Sequence, residues 1–124
     1  MKSRIAPPSR PKLLGKDGEQ IARQFLMEKG YKILQTNYRS RLGEIDIICQ
    51  DSTTIVFVEV KTRSSETFGT PAAAVTGGKQ KKLRLLAQEY LIARGREDQP
   101  VRFDVLSIFL SSRGTEIDHI IGAF

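Results

Sequence analysis

The sequence predicts a single α/β domain built on a mixed β-sheet, and three observations predict it. Residues 55–61, Ile-Val-Phe-Val-Glu-Val-Lys, are apolar on both sides, because alternate side chains of a strand face opposite ways and Ile55 and Phe57 oppose Val56, Val58 and Val60. A strand of that kind is covered on two faces, as in the interior of an α/β sheet. Three strand-like segments, 31–38, 44–49 and 54–61, are joined by polar links at 40–43 and 50–53, short enough to imply an antiparallel meander. The third segment is followed by a helical segment, 79–94, and a strand, 101–109. That order is a parallel crossover, and it puts the 54–61 strand in the middle of the sheet. A length of 124 residues, 40% of them hydrophobic and 27% charged, suits one core and no second domain.

In chain order, residues 1–14 carry Lys2, Arg4, Arg10 and Lys12 with three prolines and no acid, and are predicted to be a basic flexible arm ahead of a single domain, 15–124. The first helix is expected over 16–29, with Ala22, Phe25 and Leu26 on its apolar stripe and Gly30 as a left-handed stop. Glu19 stands three and seven residues before Ala22 and Leu26, which puts it on the stripe that packs on the sheet; an acid placed to complement the helix dipole is the alternative. Cys49 is in phase with Ile45 and Ile47 and reads as a small buried hydrophobe. As the sole cysteine it excludes an intrachain disulfide. Residues 62–71 form a polar loop beside the strand end, with Phe68 expected to tuck into the core in preference to stacking on a base. The second helix buries Leu83, Leu86, Ala87, Tyr90 and Leu91 and ends at Gly95. Its first turn carries Lys79, Lys81 and Lys82 where the helix dipole is already positive, an arrangement that favours a bound phosphate over a merely solvated basic face. Strands at 101–109 and 117–121 complete the chain, and His119, the only histidine, is expected to be a solvated strand residue.

Twenty Lys and Arg against 14 Asp and Glu give a net charge of +6 and favour a polyanionic partner, nucleic acid first. No run approaches the roughly 20 apolar residues needed to span a bilayer, so a membrane partner is not expected. The start lacks the apolar run of a secretory signal, and with one cysteine a reducing cytoplasm fits best. Zinc sites built from Cys and His are excluded by count.

Two charged residues end the most apolar strand. Glu59 and Lys61 share a face with Ile55 and Phe57, at the carboxyl end where ligands gather in open α/β sheets. A desolvated carboxylate there calls for a partner cation or a metal, unless the strand end frays into water. Asp46, in Gly43-Glu44-Ile45-Asp46, is out of phase with Ile45 and Ile47, and in an antiparallel meander the start of its strand adjoins the end of the Glu59 strand. Two carboxylates, a lysine and a third carboxylate from Glu19 suit Mg²⁺, a hard ion with oxygen ligands, and the chemistry they imply is phosphodiester hydrolysis. Gly77-Gly78-Lys79 resembles the end of a P-loop, but Gln80 stands where Ser or Thr is required and Ala73 where an earlier glycine is.

The order of a helical Glu19, then Asp46, then Glu59-Val60-Lys61 resembles the PD-(D/E)XK nuclease superfamily, which includes restriction endonucleases and Holliday-junction resolvases. More narrowly, Gly15-x-x-Gly18-Glu19, Gly30-Tyr31, Asn37-Tyr38-Arg39, Gly43-Glu44-Ile45-Asp46, Val58-Glu59-Val60-Lys61-Thr62-Arg63 and Arg102-Phe103-Asp104-Val105 resemble the bacterial YraN family of uncharacterised proteins. The resemblance implies a restriction-endonuclease-like three-layer fold with an αβββαβ core. It implies Asp46 and Glu59 as ligands of Mg²⁺ or Mn²⁺, with the Val60 carbonyl as a further ligand. Lys61 would act on the attacking water and the phosphate, and Glu19 would assist from the helix. Arg39 and Arg63 would be phosphate contacts, alongside Lys79 and Lys82 of the second helix. Ile45 replaces the superfamily's proline before the first acid, and Arg84 stands where some branches have a tyrosine four after Gln80. The expected function is metal-dependent endonucleolytic hydrolysis of DNA, on branched or deformed substrates, by a monomer or homodimer. A non-catalytic nucleic-acid-binding module on the same fold is the alternative, and an assembly protein with a basic docking surface is a third.

Overall fold

The computed structural model describes residues 2–5, 16–63 and 75–124. In chain order the elements are β1 (Lys2–Ile5), α1 (Lys16–Glu28), β2 (Lys32–Ser40), β3 (Gly43–Asp51), β4 (Thr54–Arg63), α2 (Gly77–Arg94), β5 (Val101–Ser111) and β6 (Gly114–Ile120). The six strands form one sheet in the order β1-β6-β5-β4-β3-β2. β4 and β5 run parallel, from Ile55 opposite Val101 to Arg63 opposite Phe109, and the other neighbours are antiparallel. The αβββαβ core and the interior position of the Glu59 strand are therefore as expected.

Alternation on β4 builds the three layers. Val56 and Val58 pack with Ala22, Phe25 and Leu26 of α1 and with Ile47, Leu106 and Ile108, while Ile55 and Phe57 pack with Leu83, Leu86 and Tyr90 of α2 and with Ile48, Phe103 and Val105. Each Val, Leu, Ile or Phe among them, fully buried, contributes about 1.5–3 kcal/mol. Gly95 ends α2 in the left-handed region at φ 65°, and Gly30 stands after α1 at φ 91°. α2 begins two residues earlier than expected because Thr76 caps it, its hydroxyl accepting the Lys79 N–H at 3.2 Å.

Several expectations are corrected. Lys2–Ile5 is not a flexible arm: it pairs with β6, Lys2 opposite Asp118 and Ile5 opposite Thr115. An outer strand presents unpaired N–H and C=O groups that any extended segment satisfies whatever its side chains, and the prolines at 7, 8 and 11 lie beyond the paired residues. The expected loop 62–71 is shorter at its start, since β4 runs to Arg63. The placement expected for Phe68 lies outside the described residues.

His119 is 2% exposed, not solvated. It shares the α1 side of the sheet, its ring edge-on to Phe25 and Tyr31, and its Nε2 lies 2.8 Å from the buried Asp104 carboxylate on the neighbouring strand. The Lys29 ammonium donates to Nδ1 at 2.7 Å, which leaves Nε2–H to donate to Asp104. Arg102 donates to both Asp104 oxygens at 2.9 and 3.0 Å, to Asp51 at 3.2 Å and to the Tyr31 hydroxyl at 2.8 Å, and the Gly122 N–H reaches Asp104 at 3.0 Å. Burial pushes the Asp104 carboxyl upward, but the bonds from His119, Arg102 and Gly122 override it and hold the group below its usual value. This network ties the link between α1 and β2 to β3, β5 and β6 under the sheet.

Candidate active site

The site forms where two strands part. The β3–β4 ladder runs from Asp51 opposite Thr54 to Ile47 opposite Val58 and stops there. Beyond it, the Asp46 side chain takes the place of the ladder, accepting the Val60 N–H at 2.8 Å. The same point breaks the alternation of β3. Ile47 and Cys49 pack on the α1 side but Ile45 packs on the α2 side, so the expected common phase of Ile45, Ile47 and Cys49 fails at Asp46. On β2 the register pairs Thr36 with Ile47 and Tyr38 with Ile45, which puts Asn37 beside Asp46. Asn37 has φ 53°, in the left-handed region that Asn tolerates better than most residues. A kink in two adjoining strands thus aims Asp46 into the fork.

Glu59 lies one residue past the last β4 position paired with β3, still opposite Val105 of β5, and is 7% exposed. Both nearby lysines reach its Oε2: Lys61 Nζ at 3.3 Å, and Lys79 Nζ from the first turn of α2 in direct contact. Asp46, Glu59, Glu44, Lys79, Lys82, Leu83 and Leu86 line one recess of about 230 Å³. Burial is the main cause that pushes the Asp46 carboxyl up to about 6; the negative charges of Glu59, Glu44 and Glu19 add to it, and the Val60 N–H opposes. For Lys79, burial favours the neutral amine, yet the bond to Glu59 and its charge win and raise the value.

Glu19 reaches this region from the opposite layer. It sits half-buried in the first turns of α1 and accepts from Asn37 Nδ2 at 3.3 Å. Gly18 makes the approach possible, since a Cβ there would stand 2.2 Å from Thr62 Oγ1. The structure therefore gathers Glu19, Asp46, Glu59 and Lys61 around the end of β4, with Val60 contributing its N–H to Asp46. Of the expected phosphate contacts, Lys82 lines the recess and Lys79 is inside the site on Glu59. Arg39 is on the surface, 3.2 Å from Glu44, and Arg63 is the last residue of β4.

Sequence reasoning missed Asn37 as the residue beside Asp46 that holds Glu19, Glu44 as part of the recess, and the Lys79–Glu59 contact. The last joins residues twenty apart across a layer. Only the asparagine carried a local signal, its tolerance of positive φ. Among the described residues no group of three or more His, Cys, Asp and Glu is arranged to hold a metal ion. The donors at the fork are a carboxylate pair, Asp46 and Glu59. Burial chiefly, and after it the negative charges of Glu59, Glu44 and Glu19, raise Asp46; a hard divalent ion on these oxygen donors relieves both, and Mg²⁺ is commonly held by one or two carboxylates with waters completing its shell.

The sequence pattern of the uncharacterised protein family UPF0102 matches residues 18–108. A UPF0102 protein of Alkaliphilus oremlandii is 50% identical over 115 residues, covering 91% of this chain and 98% of that one. Those of Syntrophomonas wolfei and Moorella thermoacetica are each 47% identical, over 90% and 89% of this chain and 96% and 93% of theirs. Among solved structures, Pyrococcus furiosus SfsA in complex with Ca²⁺ is similar at a TM-score of 0.37 and 14% identity, over 94% of this chain and 67% of that chain. Likeness at that level has no bearing on the chemistry. Among the described residues no helix is long and apolar enough to cross a membrane.

Proposed function

This chain belongs to the uncharacterised protein family UPF0102, and from that premise we propose that it is a divalent-metal-dependent nuclease that hydrolyses phosphodiester bonds of DNA. One observation carries the reading: Asp46 and Glu59, from strands that part at Ile47 and Val58, line a single recess beside Lys61 and Lys79. A pure binding surface needs lysines and arginines, and carboxylates beside a phosphate repel it unless a cation intervenes. The acids are thus explained by chemistry and unexplained by binding alone.

Asp46 and Glu59 would hold Mg²⁺ or Mn²⁺. When bound, such an ion supplies Lewis-acid polarisation of the phosphate and a more acidic water. The chain's own residues do the rest. The Val60 N–H fixes the orientation of the Asp46 carboxylate. Lys61, held on Glu59, presents an ammonium that orients the attacking water and steadies charge developing on the phosphate. Glu19, anchored by Asn37, adds a carboxylate from α1. Lys82, Arg39 and Arg63 with the net charge of +6 favour the polyanionic strand. Branched or deformed DNA is the substrate class to try first, on the PD-(D/E)XK resemblance.

The test incubates the purified protein with Mg²⁺ or Mn²⁺ and labelled duplex, single-stranded, flapped and four-way DNA, beside Glu59→Ala and Lys61→Ala. Cleavage by the wild type alone, abolished by chelator, supports the reading. Binding with steep salt dependence and no cleavage would replace it with the binding module, and equal cleavage by all three proteins would mean a contaminant.

A further inference from the structure

We propose that Lys79 is an internal counter-ion of this site, which leaves Glu59 when a divalent cation binds there and turns to the substrate phosphate. Metal and nucleic acid then strengthen each other's binding through one side chain. The inference rests on the nuclease reading and adds to it a lysine that the Glu59-Val60-Lys61 pattern does not contain.

The argument begins with one oxygen. Glu59 Oε2 carries two ammonium groups, Lys61 at 3.3 Å and Lys79 in contact, and its side chain is 8% exposed. A divalent ion on that carboxylate would stand within a few ångströms of both, and like charges so close in a poorly hydrated recess repel strongly. One lysine must yield. Lys61 belongs to the interior strand β4, paired on its β5 side with Ser107, and is the more enclosed at 28% exposure. Lys79 is 38% exposed and sits on the first turn of α2, after Gly77 and Gly78, around which a Cβ would meet nothing within 4 Å. It is therefore the side chain with somewhere to go.

Its destination is set by its neighbours. Lys82 lines the same recess, the first turn of α2 holds no acid, and the helix dipole is positive there. An ammonium released from Glu59 joins a place already favourable to a phosphate next to the carboxylate pair. Because the same lysine opposes the metal and assists the phosphate, the two ligands are coupled, and linkage makes the coupling reciprocal.

The experiment titrates Mn²⁺ by electron paramagnetic resonance into the full-length wild type, Lys79→Met, Lys79→Arg and Lys81→Met without nucleic acid. It then measures the affinity for a labelled DNA duplex in Ca²⁺ and in chelator. Lys81 is an exposed lysine of the same turn and controls for net charge. Lys79→Met is expected to bind Mn²⁺ about tenfold more tightly than the wild type, with Lys79→Arg and Lys81→Met close to the wild type. The gain in duplex affinity on adding Ca²⁺ is expected to shrink in Lys79→Met and to persist in Lys81→Met. Mn²⁺ affinity in a folded Lys79→Met equal to or weaker than that of the wild type overturns the proposal while leaving the nuclease reading standing. Absence of saturable Mn²⁺ binding in the wild type removes both.

Discussion

Replacing Asp46 with Asn should make the metal-free protein more stable, the opposite of what removing a hydrogen-bonded carboxylate usually does. The carboxyl is raised from 3.8 to about 6 by burial and by the charges of Glu59, Glu44 and Glu19. A rise of about two pH units corresponds to about 3 kcal/mol of destabilisation while the group is ionised, a ceiling that the open rim of the recess reduces, so about 1–3 kcal/mol is expected. Asn keeps the oxygen that accepts from Val60 and drops the charge. The sign in pH follows from the direction of the shift. Above about 6 the penalty is complete in the wild type. As pH falls through that value the folded state takes up a proton that the unfolded state does not, and stability rises until the unfolded carboxyl also titrates near 3.8. By pH 5 about 1.4 kcal/mol should be recovered at most. Urea unfolding in chelator at about pH 7.5 and about pH 5 measures both effects. Asp46→Asn should be the more stable at the higher pH and should lack the wild type's gain at the lower. A variant less stable than the wild type at the higher pH, with the pH dependence intact, would refute the burial of a crowded Asp46 charge at the fork.

Gly18→Ala should cost about 1–3 kcal/mol by overpacking on Thr62, with partial rescue by Thr62→Ala, as measured by denaturant midpoints. Asp104→Asn should cost about 3 kcal/mol, because it leaves the partly buried Arg102 and the fully buried His119 facing a neutral amide. Since the Asp104 carboxyl is held low, its stabilisation is complete above 3.8 and is lost as pH falls further, through the depressed folded value, so the variant should show a weaker acid transition by circular dichroism. The Cys49 thiol, pushed up to about 12 chiefly by burial, should resist a thiol reagent in the native state and react only at the rate of opening; rapid labelling of the folded protein would contradict its placement.

Most of the fold was legible because it is written in local periodicity. The doubly apolar run of β4, the short links on either side of β3 and the glycine stops after both helices each act over a few residues, and each is found in place. Of the candidate site, Asp46, Glu59 and Lys61 were legible from spacing on strands and Glu19 from helical periodicity. What failed was non-local. His119 looked solvated because Asp104, its partner, lies fifteen residues upstream on the adjacent strand. Ile45 is out of phase with Ile47 at the rung where Asn37 of β2 has a positive φ and where the β3–β4 ladder has ended, features of the assembled sheet and not of the β3 sequence. Lys2–Ile5 became a strand because β6 offered an edge, a property of the assembled sheet and of no residue in the arm.

The central claim is that Asp46 and Glu59 jointly hold one divalent ion, and a Mn²⁺ titration followed by electron paramagnetic resonance tests it most directly. The wild type should bind one Mn²⁺ saturably, and Asp46→Asn and Glu59→Gln, both folded by circular dichroism, should each lose at least about tenfold in affinity, since even removing a residue that only orients a metal ligand costs about 10–100-fold. Wild-type affinity in both variants, or no saturable binding in the wild type, would contradict it.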